Sequence, residues 1–186
     1  MEDILPLVIR GVIVGVLIVT ALAAAYLVFS SSKASTANSE ITTLATGIQG
    51  AFGNQPDFSD LTNIACTTGS ACSALVQANA IPGNLISAGN LGNDPWGGAI
   101  TIASAAVPGG GSNSGFSIEY DNVPNGACTT MLDGLSAYAE ISANGSPFYP
   151  AATAAANGGN PPTPSASAAA CNAGQNKVIV IYGPAG

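Results

Sequence analysis

The sequence predicts an α+β fold: a long N-terminal α-helix with an apolar first half, laid on a small antiparallel β-sheet, with a disulfide-closed C-terminal loop. Three observations predict it. Residues 4–29 form an apolar run whose one charged side chain is Arg10, and from Gly11 to Phe29 there is no charge at all. The run passes into an amphipathic stripe, Ile41, Leu44, Ile48 and Phe52, at helical spacing. Beyond it, short β-branched runs alternate with Gly, Pro and Asn, and four cysteines are spread among them.

At 1.5 Å per residue the charge-free stretch is roughly 28 Å long, close to the hydrocarbon thickness of a bilayer. Residues 1–30 are therefore expected to be a transmembrane helix. Acidic first charges and the length of the run distinguish it from a cleaved signal peptide. Residues 31–53 are expected to be the amphipathic half of the same helix, ended by Asn54 and Pro56. Its second half should pack on a sheet; its first half has no partner within the chain.

Residues 54–186 are expected to form the head. Residues 57–92 read as a connection, with a short helix in ACSALVQANAI, a turn at Pro82-Gly83 and a loop at GNLGNDP. Four strands follow, Ala99–Ala103, Phe116–Tyr120, Ala139–Ser142 and Lys177–Tyr182, whose alternation suits an antiparallel sheet. PGGGSNSG reads as a hairpin-like loop, and ACTTMLDGLS as a short helix with Asn125 its candidate cap. Asn144-Gly145-Ser146 matches a glycosylation pattern but reads more simply as a turn. Residues 150–170 are low complexity and read as loop.

Only 7% of residues are charged. Glu2 and Asp3 balance Arg10 and Lys33, so the eight remaining acids against Lys177 account for the net charge of −7. Without clustered Lys and Arg, direct nucleic-acid binding is not expected. With no His anywhere, no Ser-His or Cys-His nucleophile exists. Glu119 and Asp121 lie on one face of a strand and read as a solvated edge. VPGGGSNSG lacks the Lys and following helix of a phosphate loop. Trp96, beside the Gly97-Gly98 turn, reads as core. No enzyme activity, catalytic residue, cofactor or metal is expected.

Cys66, Cys72, Cys128 and Cys171 are even in number and sit in the part expected to be exported, which favours disulfides. Three pairings are open. The favoured one joins Cys66 to Cys72 and Cys128 to Cys171; the second loop is long, and its closure is expected to contribute on the order of 3–4 kcal/mol. Zinc is the alternative, fitted badly by this spacing.

An apolar half-helix, an amphipathic half-helix, a loop, a small sheet and a cysteine-closed C-terminal loop together resemble a type IV pilin. The segments SEITTLATGIQGAFGNQPDFSDLTN, NDPWGGAITIA and GFSIEYDNVPNGACTTML resemble the type IVb, PilS-type subfamily. The resemblance covers essentially the whole chain. It implies the structural subunit, a major pilin, of an extracellular filament on a bacterial surface. Such a subunit is anchored in the inner membrane before assembly, cut by a prepilin peptidase, usually methylated at its new N-terminus, and handled by pilus assembly machinery. Met1 would then be the processed end, and residues 1–53 would pack in the filament core of a homo-oligomer. Adhesion, cell–cell contact and conjugation are the roles such fibres serve.

The chain departs from the family at Leu5, where a Glu usually pairs with a neighbour's N-terminal amine. Arg10 is also unexpected in an apolar core, where an unpaired charge costs several kcal/mol. Glu2 or Asp3 of an adjacent subunit is its expected partner. Gly11 and Gly15 are expected filament contacts, at a close helix–helix approach or a local unwinding point. Two other readings remain: a membrane-anchored monomeric adhesin or binding protein, and a pseudopilin of a type II secretion system. The first leaves the stripe from Ile41 to Phe52 unexplained. Major pseudopilins typically lack so extended a cysteine-rich C-terminal loop.

Overall fold

Small and branched apolar residues at three- and four-residue steps draw the N-terminal helix onto the head. The computed structural model of the chain describes residue 16 and residues 32–52, 55, 57–61 and 66–184. Residues 32–52 are helical (α1). Ala34, Ala37, Ile41, Leu44, Ala45 and Ile48 form its buried face. The solvent side is rich in Ser and Thr, poor helix formers. Four of its threonines, Thr36, Thr42, Thr43 and Thr46, donate their hydroxyls to carbonyls one turn back. Among the described residues no helix is long and apolar enough to cross a membrane. The run expected to do so, residues 4–29, lies outside them apart from Val16, as does the expected helix stop at Asn54 and Pro56.

The head begins with β1 (Cys66–Thr67), α2 (Ser73–Gln77) and a short ribbon of β2 (Ile86–Ser87) and β3 (Asn90–Leu91). Then come β4 (Ile100–Ala105), β5 (Gly115–Pro124), α3 (Asn125–Gly134), β6 (Glu140–Ala143), β7 (Ser146–Phe148), α4 (Pro164–Ala170) and β8 (Gln175–Tyr182). The main sheet runs β1-β4-β5-β8-β6-β7, antiparallel at every pairing. The last strand in the chain is thus an interior one, inserted between β5 and β6.

Period-two alternation gives this sheet one apolar face. Ile118 sits opposite Ile102 on one side and Val180 on the other, and Tyr120 opposite Ile100 and Val178. All six are buried, and with the α1 stripe they belong to one core. A row of rings, Phe52, Phe58, Phe116 and Tyr182, joins the end of α1 to the sheet at centroid spacings of 5.2, 5.3 and 5.6 Å.

The four expected strands are present with shifted ends, and further short elements lie in stretches whose composition predicts connection or loop. β1 and the β2–β3 ribbon fall in the expected connection. β7 carries Pro147 and is an edge strand, where a missing N–H breaks no ladder. The low-complexity stretch contains α4. There Thr163 caps the helix, accepting from Ala166 N, with Pro164 at the first turn. Asn125 is not the cap of α3 but its first residue; Pro124 holds the cap position without a side-chain bond. Glu119 and Asp121 are not at an edge. They lie on interior strand β5, facing solvent, where Glu119 pairs with Lys177 of β8 and Asp121 lies 3.5 Å from the same ammonium.

Candidate functional site: the helix–head seam and the clamped C-terminal region

Two parts of the molecule fix how the helix is presented and how the C-terminal region is held. The first is the seam along α1. Gly47 lets the backbone of Ala80 come so close that a Cβ there would lie 2.9 Å from the Ala80 carbonyl carbon and closer still to its oxygen. On another side of the helix, Gly134 at the end of α3 abuts the Asn38 side chain. Gln49 Nε2 donates to the Gly183 carbonyl at 2.9 Å, tying the helix to the segment after β8.

Glu40 is half-buried in this seam. Its Oε1 accepts from Asn84 Nδ2 at 3.2 Å. Burial pushes the Glu40 carboxyl above the usual carboxylate range; the nearby Tyr120 hydroxyl partly offsets this, and the Asp94 charge adds to it. Asp94 is 5% exposed and is also raised, chiefly by burial, against hydrogen bonds from the backbone. Its Oδ1 accepts from Trp96 N at 2.8 Å and Gly98 N at 2.7 Å. The Asp94-Pro95-Trp96-Gly97-Gly98 segment is thus wound around one carboxylate oxygen. Gly97 takes φ +85°, and Gly98 sits against the Asp121 carbonyl with no room for a side chain. Trp96 is partly buried against the core. Tyr120, between the two acids, is fully buried and raised by desolvation first and by both acids after it.

The second part is the C-terminal clamp. Disulfides join Cys66 to Cys72, with Cα atoms 5.0 Å apart, and Cys128 to Cys171, 5.8 Å apart. The first fastens β1 to the start of α2; the second fastens α3 to the end of α4. Three asparagines reinforce the second. Buried Asn176 donates to Val123 O and Asn125 Oδ1, both at 2.9 Å, and accepts from Asn144 Nδ2 at 2.7 Å and Ala173 N at 3.3 Å. Asn144 Nδ2 also donates to the carbonyl of Ala170, next to Cys171, at 2.9 Å. With φ +50° at Asn144 and +82° at Gly145, this pair is the β6–β7 hairpin turn, and its amide is engaged in the fold. Ser167 Oγ donates to Asp133 Oδ1 at 2.7 Å, a further tie between α4 and α3.

The remaining predicted site residues, Met1, Glu2, Asp3, Arg10, Gly11 and Gly15, lie outside the described residues. Neither the Glu40–Asp94–Tyr120 group nor the asparagine clamp was visible in the sequence. Each joins positions far apart in the chain, and their residue types are ordinary on solvated surfaces. Among the described residues no cluster of His, Cys, Asp and Glu is arranged to hold a metal.

A helix laid lengthwise on one face of an antiparallel sheet, with the C-terminal region closed onto the head by a disulfide, defines a type IV pilin subunit. The family described as PilS N terminal matches residues 31–182, and the chain belongs to it. The crystal structure of a type IV b pilin from Salmonella typhi superimposes with a TM-score of 0.51 at 25% identity, covering 78% of this chain and 98% of that one. No curated protein matches the chain.

Proposed function

We propose that this chain is the repeating, major subunit of an extracellular type IVb-like pilus. Residues 1–30 form its filament-core and membrane segment, residues 31–53 the amphipathic half of the same helix, and residues 54–186 the outward head. The subunit waits in the inner membrane, where prepilin peptidase and the assembly machinery act on it. Its fibres serve adhesion, cell–cell contact or conjugation. Membership of a pilin family supports the fibre. The observation that carries the reading is the join of two patterns: an apolar run at residues 4–29 leads into α1, whose stripe Ala34, Ala37, Ile41, Leu44 and Ile48 is buried on the head. That run is longer and more apolar than a head of this size calls for, and it is assigned to other copies and to the bilayer. Arg10 of one copy pairs with Glu2 or Asp3 of another, and Gly11 and Gly15 mark close helix contacts.

Negative-stain electron microscopy of sheared surface material from cells expressing the full chain tests this. Thin fibres containing the chain are expected, with fibre yield falling in an Arg10→Glu variant. Fibre-free material, with the chain retained in the membrane fraction, would favour an anchored monomer and overturn the reading.

A further inference from the structure

Between α1 and the segment at Pro82 and Asn84 lies an open cleft of about 360 Å³. Its helix wall presents acceptors. Thr36 Oγ1 donates to Ser32 O at 3.1 Å and Thr43 Oγ1 to Ser39 O at 2.8 Å, so each hydroxyl hydrogen is used within the helix and only lone pairs face outward. Glu40 adds the carboxylate oxygen Oε1 between them, while its Oε2 is turned into the protein. Pro82 has no N–H to offer. Asn84 spends one of its amide N–H donors on Glu40 Oε1, and Ser35 and Ser39 line the same wall with hydroxyls that can turn to accept. The chemistry this wall recognises is a compact cation with several N–H donors, an ammonium.

The chain has few cations to offer. Lys177 is held by Glu119 and Asp121. Lys33 is exposed on the same helix, and no carboxylate among the described residues lies within ion-pair distance of it. Lys33 and Glu40 are seven residues apart, about 10.5 Å along the axis and within about 20° of the same azimuth. That spacing is too long for a relaxed pair within one helix, but an offset of the same length between two parallel copies brings the two groups level.

We propose that Lys33 of one copy docks its ammonium in the Glu40 cleft of a second copy displaced along the helix axis. The inference rests on the fibre reading above. Donor and acceptor lie at different heights on each chain, so the contact is heterologous. It leaves one free Lys33 and one free cleft at the ends of any oligomer and propagates as an open filament instead of closing as a dimer. It also gives an acidic head, which would otherwise repel its own copies, a point of attraction between them.

The test uses fibres of the full chain and a zero-length carbodiimide, which joins an amine to a carboxylate only where they touch. Wild-type fibres should yield covalent dimers on denaturing gels, with Lys33 joined to Glu40 in the linked peptides. Lys33→Arg keeps the charge and should keep the fibres while losing the cross-link. Lys33→Glu should lower fibre yield about fivefold, the scale of an exposed pair, with the loss shrinking at high salt. Because Lys33 is exposed, its variants leave the head's core intact, and unchanged denaturation curves would verify this. Unaltered yield in Lys33→Glu, or dimers linked solely through Lys177 or the N-terminal amine, overturns the pair while wild-type fibres still stand. Wild-type material without fibres overturns both readings.

Discussion

Gly47 and Gly50 stand one turn apart on α1, and the same substitution is expected to act on them with opposite sign. A Cβ at Gly50 meets nothing within 4 Å. Gly50→Ala should therefore stabilise the protein by up to about 1 kcal/mol, the helix-propensity difference. At Gly47 the same gain competes with overlap against the Ala80 backbone, which cannot swing aside as a side chain would. Overpacking of this kind costs about 1–3 kcal/mol, so Gly47→Ala should be a net loss of about 1–2 kcal/mol. Urea denaturation of the two variants measures both. Equal stabilisation at the two positions would mean that the helix and the connecting segment are not in contact where the structure joins them. The sequence shows two glycines in a helix; only Ala80, more than thirty residues further on, makes them different.

At the level of elements, the two disulfides close loops of very different length, with sequence separations of 43 for Cys128–Cys171 and 6 for Cys66–Cys72. Loop-closure entropy makes the long one worth about 4 kcal/mol and the short one about 2 kcal/mol. Cys128→Ala with Cys171→Ala should thus lower the urea midpoint more than Cys66→Ala with Cys72→Ala. The reverse order would show that the asparagine clamp alone holds the C-terminal region. Elements written in periodic apolar residues were legible: the stripe of α1, and the four strands with β-branched alternation. β1, β2 and β3 were not, because two residues show no period and their positions depend on distant partners, such as Ile102 for Cys66. α4 has no apolar period either, but Thr163-Pro164, a cap followed by a first-turn proline, was there to be read. The half of the candidate site that was legible is the cysteine framework. Glu40 looked like one more polar residue on a solvated face until the fold brought Asp94 and Tyr120 to it.

For the whole molecule, docking of the helix on the head brings Glu40 of α1, Asp94 of the loop before β4 and Tyr120 of β5 together, with Asp121 adding its charge near Asp94. Both Glu40 and Asp94 are raised above ordinary carboxyl values of 4.5 and 3.8. Folding thus favours their protonated forms, and the stability they contribute is full below those values and lost as pH rises through the raised ones. Denaturation midpoints should accordingly rise as pH falls from neutral into the mildly acidic range. Glu40→Gln should flatten that rise, and an unchanged slope in the variant would exclude Glu40 as its source. The seating of β8 between β5 and β6 carries a last consequence. Residues 151–158 are a chain of turns, most of them exposed. A protease that cut there would leave the central strand on a separate fragment. Cys128–Cys171 spans the cut, so the nicked head remains one covalent body, and the two pieces part only when a reductant reaches that bond.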